Sequence, residues 1–560
     1  MIALAIMKIN PTDQCLSLIL HTLDVTVLPE VTSASARRTI ELISATLGEL
    51  LKRQQEPARN FIAQCIKDGL ELEVDFHRVL NYPVTTAQSG LTDNAPFEAL
   101  ANQYDLLTER LNKLCVQASA STSKISSYTG LLRRAAEWEM GYLTGQAKLT
   151  ARPFGDESSE TESLTPLPPL RDFLEEFLTE RHGPLEVTDF SEIPGGFGKE
   201  TYFCTVKHAT GSIEELVVRK SQPVPMVLHG GFLLEREFHL LRALSQTDYP
   251  VPRPIDLALD LPGVESTFFT MTRIPGKVLG SFLDGENQKL PEPLFRQLAE
   301  LLAKLHAIPL ETFADYFAMH NESAALNETI EARHRRNLKG WREYMERVEH
   351  LPSPYITWLF HWLENHIPAD SRLSVLTHGD FSVHNILAEN GQVTGVLDWE
   401  CADFGAPEQD LAYIRPHVSK HMDWEIFVAH YCASGGQEVD ERNMRFCLAY
   451  GVLRTFIGGT RGSWNLQKGF NRDIRYVMME LGFAPAFMKI GLDYTAAGAS
   501  QSIRVSEIPP EDVVPAEYGA SMIGKVEETD NLARDKVVCS EEDSGGSASA
   551  KVTREEAKPS

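Results

Sequence analysis

Asp380, Asn385 and Asp398 all fall within LTHGDFSVHNILAENGQVTGVLDWE, residues 376–400, each beside an apolar run. A buried carboxylate is costly unless something pairs with it. The stretch reads as a buried strand into a loop at Gly379, then strand, ENGQ turn, strand. A hairpin of that length brings Asp398 back to the loop that carries Asp380 and Asn385. Two carboxylates and one amide form an all-oxygen donor set. Such a set suits a hard cation such as Mg2+, which takes few protein ligands and leaves the rest to water and phosphate. It suits zinc poorly, because no Cys or clustered His accompanies it.

Mg2+ held by few protein ligands implies nucleotide phosphates and a cradle for them elsewhere. IPGGFGKETYF offers Gly195, Gly196 and Gly198 between two strand candidates. By itself this is equally a Gly-rich hairpin turn. The segments that follow add weight. LVVRK puts Arg219 at the end of the next strand, and EREF puts Glu237 on the following helix. A strand cation paired with a helix carboxylate is how kinase-like enzymes hold the α- and β-phosphates. Strand alternation sets Val217 and Arg219 on one face and Lys220 on the other. Lys199 in the Gly loop either adds charge there or is a solvated loop lysine, and the second reading is favoured. His384 reads as a loop residue without catalytic duty. Asp380 and Asp398 could each be an ordinary turn residue at a strand end, but their combination with Asn385, the Gly loop and the Arg–Glu pair disfavours that.

The elements that must position these residues fall into zones. Residues 1–147 are rich in helix formers and lack strand alternation. ARRTIELISATLGELLKRQ, PFEALANQYDLLTERLNKLCVQA and SYTGLLRRAAEWEMGYL carry helical apolar spacing, which predicts a helical bundle. Its charged residues read as solvated helix faces, with a partner-binding surface as the alternative. Residues 148–168 are polar, acidic and close with prolines, as an interdomain linker does. From 169 to 494 the pattern is strands first and helices later: LEVTDFSEI, ETYFCTVKH, SIEELVVRK and ESTFFTMTRI as strands, GGFLLEREFHLLRAL and PEPLFRQLAELLAKLHAI as helices. A small antiparallel sheet followed by a helical lobe is an α+β arrangement. Residues 495–560 are acidic, poor in aromatics and rich in Ser, Gly and Ala, the composition of a disordered tail.

The bulk properties narrow the partners. The chain has 560 residues, 43% of them hydrophobic, and a formal net charge of -25. That charge argues against a general nucleic-acid or membrane-surface binder. Eight cysteines are scattered without a C-x-x-C pair, which disfavours a disulfide framework and favours a reducing compartment. MIALAIMKIN is too short for a signal-peptide core, and no apolar run approaches membrane-spanning length. The expectation is a cytoplasmic protein.

The order of Gly-rich loop, strand cation, helix Glu, FFTMTRIPG, H-G-D-x-x-x-x-N and D-W-E resembles the aminoglycoside phosphotransferase and choline kinase-like family. LTHGDFSVHNIL, GVLDWECADFGAPEQDLAYI and VPRP are most similar to its acyl-CoA dehydrogenase-associated branch. The resemblance covers about 169–492. It implies a protein kinase-like two-lobe fold and an ATP- and Mg2+-dependent transfer of the γ-phosphoryl group to the hydroxyl of a small molecule. On matching positions it implies that Asp380 orients the acceptor hydroxyl, that Asn385 and Asp398 hold Mg2+, and that His378 and Asp410 support the catalytic loop. It further implies that Gly195, Gly196, Phe197 and Gly198 cover the phosphates, that Arg219 and Glu237 form the phosphate-side pair, and that Met271, Thr272 and Ile274 line the adenine. Glu400 would be an outer acid of the metal site. Arg219 stands where protein kinases use lysine, and an arginine fork can hold phosphate at two points. The acceptor classes it implies are a hydroxyacyl-CoA or other metabolite, or an aminoglycoside. Arg454 and Arg461 fall on late helices that border the acceptor site in this fold, where an anionic substrate or structural pairing are the two readings. The competing functional class is a nucleotide-binding pseudokinase or scaffold whose N-terminal helices bind a protein partner. A protein kinase is disfavoured, because there is no activation loop between Asp398 and Asp410.

Overall fold

The computed structural model describes residues 12–32, 34–53, 56–83, 95–120, 126–150, 170–193, 199–222, 227, 229, 233–259, 267–280, 290–470 and 484–496. The glycine-rich residues 195–198, residues 151–168 of the expected linker, the opening MIALAIMKIN and the tail after 496 lie outside the described residues.

The N-terminal zone is helical: α1 (Thr12–Thr22), α2 (Ala34–Arg53), α3 (Glu56–Val79), α4 (Phe97–Ala120) and α5 (Ser126–Thr150). Helix α3 buries Ile62, Ile66, Leu72 and Phe76, and α4 buries Leu100, Leu107, Leu111 and Leu114. These steps of four, six and four on α3 and seven, four and three on α4 set one apolar stripe on each helix, and the two helices pack together. Trp138 of α5 donates its indole N–H to the Cys65 carbonyl at 2.8 Å and stacks on Tyr104.

Helix α6 (Leu170–His182) precedes the sheet, where the sequence pattern suggested strands first. Its buried residues, Leu170, Leu174, Phe177 and Leu178, follow helical spacing. The five-stranded antiparallel sheet has the order β1 (Leu185–Glu192), β2 (Lys199–His208), β3 (Ile213–Ser221), β5 (Phe268–Thr272), β4 (Pro254–Ala258). Gly211, at φ +85°, turns the chain between β2 and β3. Successive side chains alternate across the sheet. Tyr202, Cys204, Val206, Leu216, Val218 and Phe268 pack with α6 in one cluster, while Val217, Phe269 and Met271 join the main core with α7 (Leu234–Leu244) on the other face. Arg219 therefore shares the α7 face with Val217. Lys220 points the other way and pairs with Glu200 at 2.6 Å.

The second lobe is mostly helical. It comprises α8 (Glu292–His306), α9 (Ala314–Met319), α10 (Ile330–Arg347), α11 (Pro354–Asn365), α12 (Glu408–His421), α13 (Trp424–Ala433), α14 (Glu441–Gln467) and α15 (Ala484–Tyr494). Two small sheets carry the loop chemistry. Strand β7 (Val375–Thr377) pairs with β10 (Asp403–Gly405), and β8 (Ile386–Glu389) pairs with β9 (Gln392–Val396) and with the short β6 (Lys277–Val278). Asn390 and Gly391, both at positive φ, make the tight turn between β8 and β9.

Helix α11 is apolar on nearly every side and is buried accordingly, with Leu359 and Leu363 at zero exposure. Helices α4 and α5 cover one side of it and α14 another. The hydrophobic core thus runs unbroken from Ala58 to Leu492. Polar contacts reinforce this joint. The Glu139 carboxylate of α5 accepts from Ser353 Oγ at 3.0 Å and from the Tyr355 N–H at 2.8 Å, capping the N-terminus of α11. Thr357 donates to Asn112 Oδ1 at 2.8 Å, and Arg133 donates to the Leu492 carbonyl at 3.2 Å. The boundary read near residue 148 divides the sequence but not the apolar core.

Candidate active site

The loop after β7 is held from below by Asp410, at the start of α12. Its carboxylate is wholly buried and accepts from the His378 N–H at 2.8 Å and the Gly379 N–H at 2.7 Å. Asp410 also meets His306 Nε2 at 3.2 Å, and His306 Nδ1 lies 2.9 Å from the Tyr431 hydroxyl. These partners assign Nε2–H as the donor toward the carboxylate. His306 and Tyr431 were missed from the sequence. Nothing at the end of an amphipathic helix marks a histidine as the brace of a distant loop.

His378 is fully buried between the two halves of the site. Its Nε2–H donates to the Leu397 carbonyl at 2.8 Å, and its Nδ1 accepts from the Asp380 N–H at 3.2 Å. Gly379 has φ +78°, and a Cβ there would sit 2.2 Å from the Cys401 carbonyl oxygen. A glycine is required by both the backbone angle and the close approach.

Asp380, Asn385 and Asp398 are brought together by the β8–β9 hairpin. Asn385 Nδ2 donates to Asp380 Oδ2 at 3.0 Å, and the Leu397 N–H donates to the Asn385 carbonyl at 2.8 Å. Asp380 Oδ1 is buried and has no hydrogen-bond partner. Burial raises the Asp380 pKa, yet hydrogen bonding and charge from His384 and a hydrogen bond from Tyr413 outweigh it and hold the carboxyl below its usual range. His384 lies 3.7 Å from Asp380 Oδ2, so it touches this carboxylate rather than standing apart from it. Asp398 has φ +65°, a left-handed backbone uncommon outside glycine. Such strain persists only where the surroundings dictate it, and it recurs at ligand-binding positions.

Arg219 reaches this group from the sheet. Its guanidinium meets Glu237 at 3.3 Å, Asp398 at 2.9 Å and Glu400 at 4.0 Å. Burial opposes the Arg219 charge, but Glu237, Asp398 and Glu400 outweigh it and raise its pKa. Burial pushes the Glu237 carboxyl up to about 7, against the pull of Arg219. Lys199 is buried and lies 3.4 Å from Glu400. That corrects the reading of Lys199 as a solvated loop lysine: β2 starts at this residue and its inward register carries the side chain under the sheet. Met271 is buried on β5 opposite Val217, Thr272 is half-buried, and Ile274 packs against the bare Cα of Gly395.

Among the described residues no group of three or more His, Cys, Asp or Glu is gathered to hold a metal ion. Asn385 and Asp398 nonetheless fit a hard divalent cation. The Asn385 amide nitrogen is engaged by Asp380, which leaves its carbonyl oxygen as a donor, and the Asp398 side chain is one-third exposed.

Residues 189–447 match the family model described as the phosphotransferase enzyme family. The chain carries a phosphotransferase-family domain. The matched residues include β2 to β5, the Arg219–Glu237 pair and the loop that carries Asp380. Over 252 residues the chain is 28% identical to acyl-CoA dehydrogenase family member 10 of Mus musculus, covering 43% of this chain and 22% of that one. Over 266 residues it is 29% identical to acyl-CoA dehydrogenase family member 11 of Gallus gallus, covering 42% and 32%. The chain thus spans between a fifth and a third of the length of these relatives. Among solved structures, a putative aminoglycoside phosphotransferase from Ralstonia eutropha aligns at 19% identity with a TM-score of 0.41, over 58% of this chain and 97% of that one. No described helix is long and apolar enough to cross a membrane.

Proposed function

We propose that this protein is an ATP- and Mg2+-dependent small-molecule kinase that transfers the γ-phosphoryl group to a hydroxyl. The observation that carries the reading is the partnerless, buried Asp380 Oδ1 on a loop pinned by Asp410 and tied to Asn385. A buried carboxylate oxygen without a donor is costly. The hydroxyl of an acceptor would supply that donor and be oriented by it.

Mg2+ held by Asn385 and Asp398 would neutralise phosphate charge. The protein residues divide the remaining work. Arg219, anchored by Glu237, presents its fork to the α- and β-phosphates. Asp380 orients the acceptor hydroxyl and takes its proton as the new O–P bond forms and the bond to the β,γ-bridging oxygen breaks. His378 fixes the spacing of the two halves, since its ring spans from Asp380 N to Leu397 O. Catalysis by such a site is chiefly positioning and charge stabilisation. Hydroxyl-bearing metabolites, hydroxyacyl-CoAs among them, and aminoglycosides are the acceptor classes to screen.

Taking the two aspartates apart tests the reading. Asp380→Asn removes the proton-accepting charge, and turnover should fall about 10²–10⁴-fold with little change in Mg·ATP affinity. Asp398→Asn removes a metal-ligand charge, so Mg2+-dependent nucleotide binding should weaken together with turnover. Full phosphoryl transfer by Asp380→Asn on a confirmed acceptor would sink the catalytic assignment. Nucleotide binding indifferent to Mg2+ in the wild type would favour a nucleotide-binding scaffold.

A further inference from the structure

Arg219 of β3 stands between two carboxylates and is hydrogen-bonded to the one that the proposed metal needs. Its Nη2 donates to Asp398 Oδ1 at 2.9 Å. Its Nε faces Glu237 Oε1 of α7 at 3.3 Å, yet this N–H is buried without a hydrogen-bond partner. Glu237 Oε2 is buried and unpartnered as well. A donor and an acceptor on adjacent side chains are thus both unused, and each is costly to leave so in a buried setting.

The Arg219 contact and a divalent cation compete for the Asp398 carboxylate. A guanidinium hydrogen-bonded to Asp398 would stand a few ångströms from a cation on the same carboxylate, and like charges that close repel strongly where water is scarce. Glu237 offers Arg219 another place. Turning the guanidinium from Asp398 to Glu237 gives Nε and Oε2 their partners and frees Asp398. Glu400 does not depend on Arg219, because Lys199 lies 3.4 Å from it and Arg219 4.0 Å. Arginine suits this exchange better than lysine. Its planar fork presents Nε toward α7 and Nη2 toward the loop after β9, whereas an ammonium is a single point of charge.

We infer that Arg219 determines what the site accepts: it exchanges Asp398 for Glu237 and phosphate when Asp398 takes Mg2+, so that a metal-loaded nucleotide binds and the metal or the nucleotide alone is refused. This rests on the kinase reading above and deepens it. The metal alone must draw Asp398 off Arg219, with no phosphate to receive the guanidinium. A metal-free nucleotide must draw Arg219 off Asp398, which leaves a bare carboxylate facing phosphate. Only the two together give every charge a partner, Asp398 to the metal and Arg219 to Glu237 and phosphate. Each then raises the affinity for the other, as reciprocal coupling requires.

The test titrates Mn2+ alone into the full-length chain, read by electron paramagnetic resonance, and pairs this with a crystal structure of the wild type bound to Mg·AMP-PNP. Arg219→Met should bind Mn2+ about tenfold more tightly than wild type. Adding Asp398→Asn to that variant should remove the gain, which ties it to this carboxylate. Lys199→Met takes the same formal charge from the same acidic group but leaves the Asp398 contact, so it should gain about threefold at most. In the crystal, Arg219 Nη2 should lie beyond about 4 Å from Asp398 Oδ1, with Nε about 3 Å from Glu237. The inference is overturned if Arg219→Met binds Mn2+ no better than wild type, if Lys199→Met matches it, if the double variant keeps the gain, or if Arg219 stays on Asp398 in the crystal. Should Arg219→Met fail to fold, the crystal structure decides. If calorimetry finds no binding of Mg·AMP-PNP to the wild type, the kinase reading fails first. If Mg·AMP-PNP binds while Arg219 stays on Asp398, that reading stands and only this inference falls.

Discussion

Replacing Asp410 by asparagine changes one oxygen to an NH2 and leaves the shape nearly intact. The structure makes this substitution severe. Both Asp410 oxygens accept backbone N–H groups, from His378 at 2.8 Å and Gly379 at 2.7 Å, at zero exposure. Whichever way the amide turns, its NH2 opposes one of those donors. Each hydrogen bond to a buried charged group is worth about 1.5–3 kcal/mol. One is lost outright and the other loses its charge, so the expected cost is about 3–5 kcal/mol. At about 2–4 °C per kcal/mol the thermal midpoint of the loop-bearing lobe should fall by about 10 °C. The freed Gly379 N–H would also let the Asp380 loop drift, and a misplacement of about 1 Å can cost about 10²-fold in rate. Differential scanning calorimetry and ATP turnover on the same preparation check both figures. A variant that melts within about 2 °C of wild type and turns over normally would refute the idea that Asp410 holds the loop.

Two more outcomes follow from the packing. Burial raises the Glu139 carboxyl to about 7, against the Tyr355 and Ser353 hydrogen bonds that lower it; a folded value above the unfolded one means stability present at acidic pH and lost as pH rises through about 7, by about 3 kcal/mol in all. The midpoint should therefore be higher at pH 5 than at pH 8 on this group's account, and Glu139→Gln should flatten that part of the pH–midpoint curve. Gly379→Ala would place a Cβ 2.2 Å from the Cys401 carbonyl at a left-handed φ, so turnover should be lost while far-UV circular dichroism stays native, and retained turnover would mean that the loop can relax.

Much of the site was legible in the chain. Spacing within 376–400 predicted the hairpin that returns Asp398 to Asp380 and Asn385, because turn chemistry at Asn390–Gly391 and strand length are local properties. Period-two alternation likewise put Arg219 on the Val217 face. The small antiparallel sheet and the later helical lobe are both present, as the strand and helix patterns indicated. What could not be read is what comes from elsewhere in the chain. Lys199 looks like any loop lysine until the β2 register buries it against Glu400. His306 and Tyr431 come to Asp410 from two other helices, with no motif to announce them. Arg454 and Arg461 look alike in sequence on one helix, yet Arg454 donates to the Cys401 carbonyl while Arg461 donates to the Glu349 carbonyl. Helix α11 shows the same division most plainly. Its composition declares that it is buried on all sides, but only tertiary packing decides that α4 and α5 are its cover and that Glu139 caps its first turn. Local propensity and periodicity act over a few residues, whereas burial, caps and ion pairs are settled by whichever distant surfaces the chain folds together.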